Sequence, residues 1–264
     1  MRKLLILLIV AVVFSSLGCG GAGSRTKPAV IKVGASVIPH AEILDFIKPM
    51  LAKDGINLQV VENHVNPNRA LADKELDANY FQHIPYLDKF SADHKLSLSV
   101  IAHVHIEPMG IYSRKIKAIA ELPVRAIVSI PNDPTNGGRA LLLLDKAGVI
   151  KLKSDAGITA KIADITENPK RIIIRELETA QLPRSFEDVT LAVINTNYAL
   201  GAKLVPSKDA LFIESADSPY VNVLVVRKGD ENRAELKKLA AALNSPEVKK
   251  FIGDRYKGAI VPAF

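Results

Sequence analysis

The sequence contains no tryptophan and a single cysteine among its 264 residues. A chain with one cysteine forms no intramolecular disulfide and no zinc site built on several thiolates. Neither charge sign is in large excess, since 35 Lys and Arg face 28 Asp and Glu, for a formal net charge of +7. With 24% charged and 48% hydrophobic residues, the composition excludes intrinsic disorder, a collagen-like repeat and a coiled coil. It is typical of a globular protein with one large or two small domains.

Sequence signatures of several enzyme classes are also missing. The chain has no GxSxG nucleophile elbow, no HExxH zinc helix and no Gly-Lys-Ser/Thr phosphate loop. Its basic residues are scattered or lie beside acidic ones, and no basic cluster with interleaved aromatic residues predicts a nucleic-acid surface. The sequence therefore favours a protein that is not an enzyme, requires no cofactor and binds no nucleic acid.

The chain begins with Arg2 and Lys3, followed by an apolar run over 4–14 and small residues up to Cys19. Eleven helical residues rise about 16 Å, well short of the roughly 30 Å of a membrane core. Residues 1–18 are therefore predicted to be a secretory signal peptide. The segment before Cys19 resembles a bacterial lipobox, with Ser16 where that pattern usually has Leu. We expect a lipid anchor on Cys19 and a flexible tether over 19–29.

From residue 30 onward, β-rich and helical patterns alternate. Residues 31–35 and 56–61 alternate as strands do, and 41–51 repeat apolar residues at helical spacing. Such a β-α-β unit predicts parallel strands and an α/β fold. Further helices are expected near 68–76, 85–94, 135–148, 232–243 and 246–256, with a short one after Leu177. Further strands are expected near 97–105, 126–130, 158–165, 172–176, 190–195 and 222–227.

The most unusual polar cluster follows the strand expected at 126–130. A turn at 131–134 leads into a predicted helix that has Asn136 near its start and Arg139 after two glycines. Free amides at a helix N-terminus attract an anion, and arginine offers a bidentate fork for a carboxylate. Ligands of α/β sheets bind beyond the carboxyl ends of the strands. The cluster indicates an anion site, although a capped turn with a surface arginine gives the same pattern.

Two clusters that combine asparagine with an aromatic residue occur at 193–198 and 218–222, and they include Asn197 and Asn222. An amide both donates and accepts hydrogen bonds, so it can bond either end of a zwitterion. A third segment, 79–86, concentrates aromatic residues. It could wall a pocket and contact a thioether, or it could pack in the core.

A possible metal site lies on the strand expected at 97–105. His103, His105 and Glu107 are spaced by two, which places them on one face of a strand, and they form a competent zinc ligand set. Neighbouring ligands on an extended strand stand about 6.6 Å apart, so joint chelation needs a bend. A hydrogen-bonded hinge strand is the other interpretation.

Several of these segments together resemble the NlpA/MetQ lipoproteins, which are methionine-binding subunits of ABC importers. The resemblance covers essentially the whole mature chain in matching order, and the block at 80–86 is specific. The matching segments are Cys19, 39–42, 77–87, 105–108, 130–133, 192–199 and 220–226.

The resemblance implies a two-lobed α/β fold, like that of periplasmic binding proteins, with a ligand cleft between the lobes. The first lobe is expected to contain 30–110 plus 224–264, and the second 111–223. By position, Arg139 would grip the α-carboxylate of L-methionine or a close analogue, and Asn197 and Asn222 would bond its backbone groups. The remaining expected site residues are Tyr80, Phe81 and His83 around the side chain, with Glu107 and Asn136 as further contacts.

The resemblance also implies partners and a location. The ligand would be delivered to an ABC permease and its ATPase, and the protein would be anchored to a membrane of the bacterial cell envelope through Cys19, outside the cytoplasm. Two alternatives stay open at this point. One is a zinc or manganese receptor that uses His103, His105 and Glu107. The other is a surface lipoprotein with no role in transport.

Overall fold

The computed structural model describes residues 28–62, 65–215 and 217–264. The predicted signal peptide and the predicted lipidation site, Cys19, lie outside the described residues. Within the described part of the chain, no helix combines the length and apolar character needed to cross a membrane.

Thirteen strands and eight α-helices are found in the described residues. The strands are β1 Ala29–Ala35, β2 Ile56–Glu62, β3 Ala78–His83, β4 Leu98–Ile106, β5 Gly110–Tyr112, β6 Ile127–Pro131, β7 Lys151–Leu152, β8 Ile165–Glu167, β9 Ile173–Leu177, β10 Leu191–Ile194, β11 Ala210–Ile213, β12 Val221–Arg227 and β13 Val261–Pro262. The α-helices are α1 Glu42–Lys53, α2 Pro67–Ala72, α3 Ile84–His94, α4 Pro134–Lys146, α5 Thr196–Gly201, α6 Pro206–Asp209, α7 Ala234–Leu243 and α8 Pro246–Tyr256. A π-helical turn at Val37–Ala41 and 3-10 turns at Ile119–Glu121, Ile162–Asp164 and Thr179–Glu187 complete the elements.

Two mixed sheets form the centres of the two lobes. The six-stranded sheet has the order β13-β4-β12-β3-β1-β2, and the five-stranded sheet has the order β11-β5-β10-β6-β9. In the first sheet β1 runs parallel to β2 and β3, and in the second β6 runs parallel to β9 and β10. The parallel pairs predicted from the β-α-β pattern are therefore present in both sheets. Strands β7 and β8 form a separate antiparallel pair.

The chain passes between the sheets twice. Residues 107–109 connect β4 to β5, and residues 214–220 connect β11 to β12. These two connections are called the crossovers below. Gly110 already belongs to the five-stranded sheet, and residues 221–223 to the six-stranded one. The sheets thus change over within a few residues of the lobe boundaries expected at 110 and 223.

Each sheet is covered by helices whose apolar residues follow the helical period. In α1, Ile43, Leu44, Ile47 and Leu51 are all buried, and they pack into the core of the six-stranded sheet. The helix ends before Gly55, which has φ of +72°, a conformation that glycine adopts without a steric penalty. In the five-stranded sheet, α4 provides the corresponding buried face through residues 140–144.

One strand that the sequence pattern does not predict is present, and one that it predicts is absent. The aromatic segment near residue 80 is the interior strand β3, which lies between β1 and β12. The prediction of a strand at 158–165 is wrong, since strand pairing begins only at Ile165. Ile158 and Ile162 are exposed, and the Asp164 carboxylate accepts the backbone N–H of Lys161 at 2.8 Å. This local bond supports a 3-10 turn in place of a sheet ladder.

Candidate ligand-binding site

A cavity of about 430 Å³ lies between the two lobes. Its walls come from the ends of β1, β3, β6 and β10, the first turns of the elements that follow them, the first crossover at Glu107 and the start of β12 at Asn222. This is the edge at which α/β sheets place ligands. The lining residues discussed below are Ser36, His40, Phe81, Gln82, His83, Tyr86, Phe90, Glu107, Asp133, Asn136, Arg139, Asn195, Asn197 and Asn222.

Seven of the eight predicted binding residues line this cavity: Phe81, His83, Glu107, Asn136, Arg139, Asn197 and Asn222. Tyr80 does not, because its side chain is fully buried in the core of the six-stranded sheet. The pairing of β3 with β12 skips Phe81, which makes a bulge at that residue. A bulge redirects neighbouring side chains. Here Phe81 reaches the cavity, while Tyr80 contributes its hydroxyl to a hydrogen bond with His105 behind it.

Helix α4 brings Asn136 and Arg139 to the cavity. Its N-cap is Asp133, whose carboxylate accepts the backbone N–H of Asn136 at 2.9 Å and the side-chain amide of Asn136 at 2.9 Å. The N-terminus of α4, predicted as an anion site, is therefore already occupied by the carboxylate of Asp133. Arg139 lies one turn further along the helix, so the recognition of an anion depends on its guanidinium.

The glycines before Arg139 allow α4 to approach neighbouring backbone. A Cβ on Gly138 would stand 2.5 Å from the Ile158 carbonyl oxygen and 2.8 Å from the Ala160 nitrogen. A Cβ on Gly137 would stand 2.9 Å from the Pro131 carbonyl oxygen. Only glycine fits at these contacts, so the pair fixes the position of the helix that carries Arg139.

The Arg139 side chain is almost completely buried and contacts both crossovers. Its Nη2 donates to the backbone carbonyl of Glu107 at 2.7 Å, and Nε and Nη2 donate to the carboxylate of Glu214. The Tyr220 ring lies under the guanidinium, with 4.1 Å between the guanidinium carbon and the ring centroid. Among the described residues, Nη1 has no hydrogen-bond partner. It is the nitrogen that remains for a ligand anion.

Glu107 is the buried anion of the cavity. One carboxylate oxygen accepts from His105 Nε2 at 2.8 Å and lies 3.5 Å from His40 Nε2, and the other accepts from the Asn197 backbone N–H at 3.0 Å. Burial disfavours the charged form, but the two histidines and the Asn197 amide outweigh it and hold the pKa of Glu107 below its ordinary value. Glu107 is therefore ionised at neutral pH.

The two histidines that line the cavity, His40 and His83, are uncharged at neutral pH because of their surroundings. His83 Nδ1 accepts the Tyr86 backbone N–H, so the proton lies on Nε2, which donates to Asn136 Oδ1 at 3.1 Å. Burial, with the nearby Arg139 charge, lowers the pKa of His83 to about 4. Burial likewise lowers the pKa of His40 to about 4, despite the neighbouring Glu107. Neither imidazole supplies a positive charge to balance Glu107 at neutral pH.

The predicted metal set is not brought together. His103 is exposed, whereas His105 and Glu107 are buried. The pairing of β4 with β12 skips Val104, and this bulge breaks the alternation that would place both histidines on one face. Among the described residues, the group able to hold a metal is instead His40, His105 and Glu107, with ligand atoms within 4.8 Å of one another. The Nε2 atoms of both histidines are already hydrogen-bonded, that of His105 to Glu107 and that of His40 to Asn222.

Four asparagines supply neutral polar groups. Asn195 donates to Asn136 Oδ1 at 2.7 Å, and its own side-chain oxygen is buried with no hydrogen-bond partner among the described residues. Asn222 accepts from His40 at 3.0 Å through its oxygen, and its side-chain NH₂ bonds to none of the described residues. The backbone of Asn197 bonds Glu107, and its side chain lines the cavity. These groups are arranged to bond a polar ligand.

Sequence reasoning missed part of the site. His40, Gln82 and Tyr86 line the cavity, and Glu214 and Tyr220 lie behind Arg139. His40 and Tyr220 stand inside segments that carried the family resemblance, which was the available signal. Glu214 is an acidic residue in a connection, and nothing in its sequence surroundings distinguishes it.

The comparisons with known proteins agree with this geometry. The model of the NlpA lipoprotein family matches residues 31–264. The D-methionine-binding lipoprotein MetQ of Escherichia coli K12 is 41% identical over 259 residues, which cover 96% of this chain and 95% of that protein. The methionine-binding lipoprotein MetQ of Bacillus subtilis is 39% identical over 274 residues, 99% of each chain.

A solved structure shows the same fold. It is a nutrient-binding protein of Burkholderia cenocepacia bound to methionine, with a TM-score of 0.86 and 47% identity. The match covers 89% of this chain and 100% of that one. Together with the two-lobed architecture and the cleft, these matches identify the chain as a member of the NlpA lipoprotein family.

Proposed function

We propose that this protein is a membrane-anchored solute-binding lipoprotein that captures methionine in its cleft and delivers it to an ABC importer. The observation that supports this most strongly is the pair of opposite charges in the cavity, the Arg139 guanidinium and the Glu107 carboxylate. Arg139 donates a hydrogen bond to the backbone carbonyl of Glu107, which keeps the two residues together. An amino-acid zwitterion has the matching pair of charges, so its two ends can be bound at once.

The two charges divide the recognition of the amino-acid backbone. Arg139 Nη1 would donate to the α-carboxylate. Among the described residues, the Glu107 carboxylate forms no ion pair with a lysine or an arginine, and a ligand ammonium would supply the missing charge. The free side-chain NH₂ of Asn222 and the unpartnered oxygen of Asn195 would add a donor and an acceptor.

An aromatic wall favours a thioether side chain. Phe81, Tyr86 and Phe90 line one side of the cavity, with Phe81 and Tyr86 edge to face and Tyr86 stacked on Phe90. Sulfur contacts at aromatic ring edges are favourable by about 0.3–1.5 kcal/mol. The relatives from E. coli and B. subtilis are named for binding methionine, which supports the same ligand here.

Transport would follow from lobe closure. The two crossovers connect the lobes, and both contact Arg139. A ligand that binds Arg139 would therefore affect the same residues that move when the lobes close. A closed, loaded form would be recognised by a membrane permease, and hydrolysis of ATP would belong to the ATPase of that importer. The protein itself would do no chemistry. Lipid on Cys19 would anchor it to the bacterial cell envelope, facing outside the cytoplasm.

Calorimetric titration of the full-length chain with L-methionine and with D-methionine tests this function. The protein is first unfolded and refolded in detergent, so that any retained ligand is removed. Saturable binding of one methionine per chain, lost in Arg139→Ala, is the expected result. Binding by a variant of an exposed arginine, Arg114→Ala, should match that of the wild type. Failure of the wild type to bind either enantiomer would reject the proposal.

A further inference from the structure

Glu214 is the partner that occupies Arg139 in the cleft. Its carboxylate accepts from Arg139 Nε at 3.2 Å and from Nη2, and it also accepts the Met109 backbone N–H at 3.3 Å. The Glu214 backbone N–H donates to the Met109 carbonyl at 2.9 Å. Glu214 therefore ties one crossover to the other and presents a carboxylate to the same guanidinium that faces the ligand.

The pair is deeply buried, with side-chain exposures of 3% for Arg139 and 10% for Glu214. Buried ion pairs are weak contributors to stability, because the desolvation of both charges offsets their attraction. Stability alone is therefore a poor explanation for this pair. The geometry of the pair instead suits the orientation of the guanidinium. Glu214 fixes the edge formed by Nε and Nη2, and Nη1 is left without a partner among the described residues.

We propose that Glu214 is a positioning residue that shares Arg139 with the ligand, an inference that rests on the proposed function. It holds the Nε and Nη2 edge of the guanidinium, and the ligand carboxylate takes Nη1. Because Glu214 already balances the charge of Arg139, the ligand carboxylate meets a guanidinium that is neutralised before binding. Glu214 thereby sets how strongly binding depends on the negative charge of the ligand.

This role has a consequence for ligand selectivity. L-Methioninamide keeps the ammonium and the thioether of L-methionine but lacks the carboxylate charge. With Glu214 in place, the preference for methionine over the amide is limited. In Glu214→Gln the ligand carboxylate becomes the main counter-ion of Arg139, and the preference should rise at least about tenfold, the scale of one charge-assisted contact.

The test is calorimetric titration of the refolded full-length protein with both ligands. Glu214→Gln is compared with the wild type and with Glu187→Gln. The control makes the same charge change in an exposed ion pair with Arg114. The methionine-to-methioninamide affinity ratio should increase in Glu214→Gln and stay at the wild-type value in Glu187→Gln. Equal weakening of both ligands in Glu214→Gln, with an unchanged ratio, would overturn the proposal, because a merely structural role predicts that result.

If Glu214→Gln does not fold, the same titrations are made with Glu214→Asp. Its carboxylate is one methylene shorter and releases part of the guanidinium, so the ratio should rise in the same direction by a smaller factor. A wild-type ratio in a folded Glu214→Asp would also overturn the proposal. Absence of methionine binding by the wild type would instead reject the proposed function, and with it this role of Glu214.

Discussion

Arg139 and Glu107, the cation and the buried anion of the cleft, are joined by a hydrogen bond of 2.7 Å from Nη2 to the Glu107 backbone carbonyl. One residue comes from a helix of the five-stranded lobe and the other from a crossover. The separation of the two charges is thus set by the fold and does not wait for a ligand. Such preorganisation reduces the cost of ordering the site on binding.

Removing the Glu107 charge should weaken methionine binding. We expect Glu107→Gln to lose about 1.5–3 kcal/mol of binding free energy, roughly a 10- to 150-fold increase in Kd, because the ligand ammonium loses the charged carboxylate that it would contact. Calorimetric titration measures the change. Glu187→Gln is the matched control and should bind like the wild type. A Glu107→Gln Kd within about twofold of the wild type would contradict the role given to this residue.

The stability of the protein should fall as the pH falls from about 6.5 to about 4. His40 and His83 have folded-state pKa values of about 4, below the ordinary 6.5. The unfolded chain therefore takes up protons first in this window, and each histidine removes about 2–3 kcal/mol of stability. The Glu107 pKa is lowered, so its contribution is lost only at still lower pH.

Denaturant unfolding at pH 7.5 and pH 4.5 measures this dependence. The loss of stability should be smaller by roughly 2 kcal/mol in His83→Gln than in the wild type. His103→Gln, which removes an exposed imidazole, should keep the full loss. An equal loss in the wild type and in His83→Gln would show that the buried imidazole is not responsible.

Gly138→Ala should destabilise the fold by about 1–3 kcal/mol. The new methyl group would lie 2.5 Å from one backbone oxygen and 2.8 Å from a backbone nitrogen, neither of which is the end of a flexible side chain. Gly253→Ala is the control, because Gly253 lies inside α8 with open space around its missing Cβ. It should be neutral or stabilising by up to about 1 kcal/mol. Thermal unfolding of both variants checks the prediction, and a neutral Gly138→Ala would contradict the packing described for α4.

Zinc should not stabilise the protein. His40 and His105 direct Nε2 toward Glu107, and their Nδ1 atoms bond Ser36 at 2.6 Å and Tyr80 at 2.5 Å. Binding a metal at Nε2 would require both imidazoles to exchange tautomers, with loss of the His105 bond to Glu107 and of the His40 bond to Asn222. A hundredfold excess of methionine over its Kd should add about 2.7 kcal/mol, whereas excess zinc chloride should leave Tm unchanged. A zinc-dependent rise in Tm that is lost in His105→Gln would revive the metal interpretation.

The regular elements of the fold were largely predictable because local signals agree with the tertiary structure. Helix α8 was expected at the residues it occupies, with Pro246 in its first turn and Ser245 as its cap. The strand expected at 158–165 failed because its apolar residues do not share a buried face. Ile158 and Ile162 are both exposed, and a side-chain bond from Asp164 decides the local structure.

The lining of the cavity was predictable near the ends of strands, as with Arg139 in the helix that follows β6 and Asn222 at the start of β12. The lining was not predictable where a bulge or a contact between the crossovers determines which side chains meet. The bulge at Phe81 places Tyr80 and Gln82 on opposite faces, and the bulge at Val104 does the same to His103 and His105. Period-2 patterning cannot show a bulge. The contact between Glu214 and Arg139 joins residues 75 positions apart, and no local signal reports it.

A crystal structure of the refolded protein with L-methionine would show directly how the cleft holds its ligand. We expect one methionine in the cleft, with its carboxylate on Arg139, its ammonium on Glu107 and its thioether against Phe81, Tyr86 and Phe90. A ligand bound outside the cleft, or one inside it whose carboxylate does not contact Arg139, would show that the roles given to these residues are wrong.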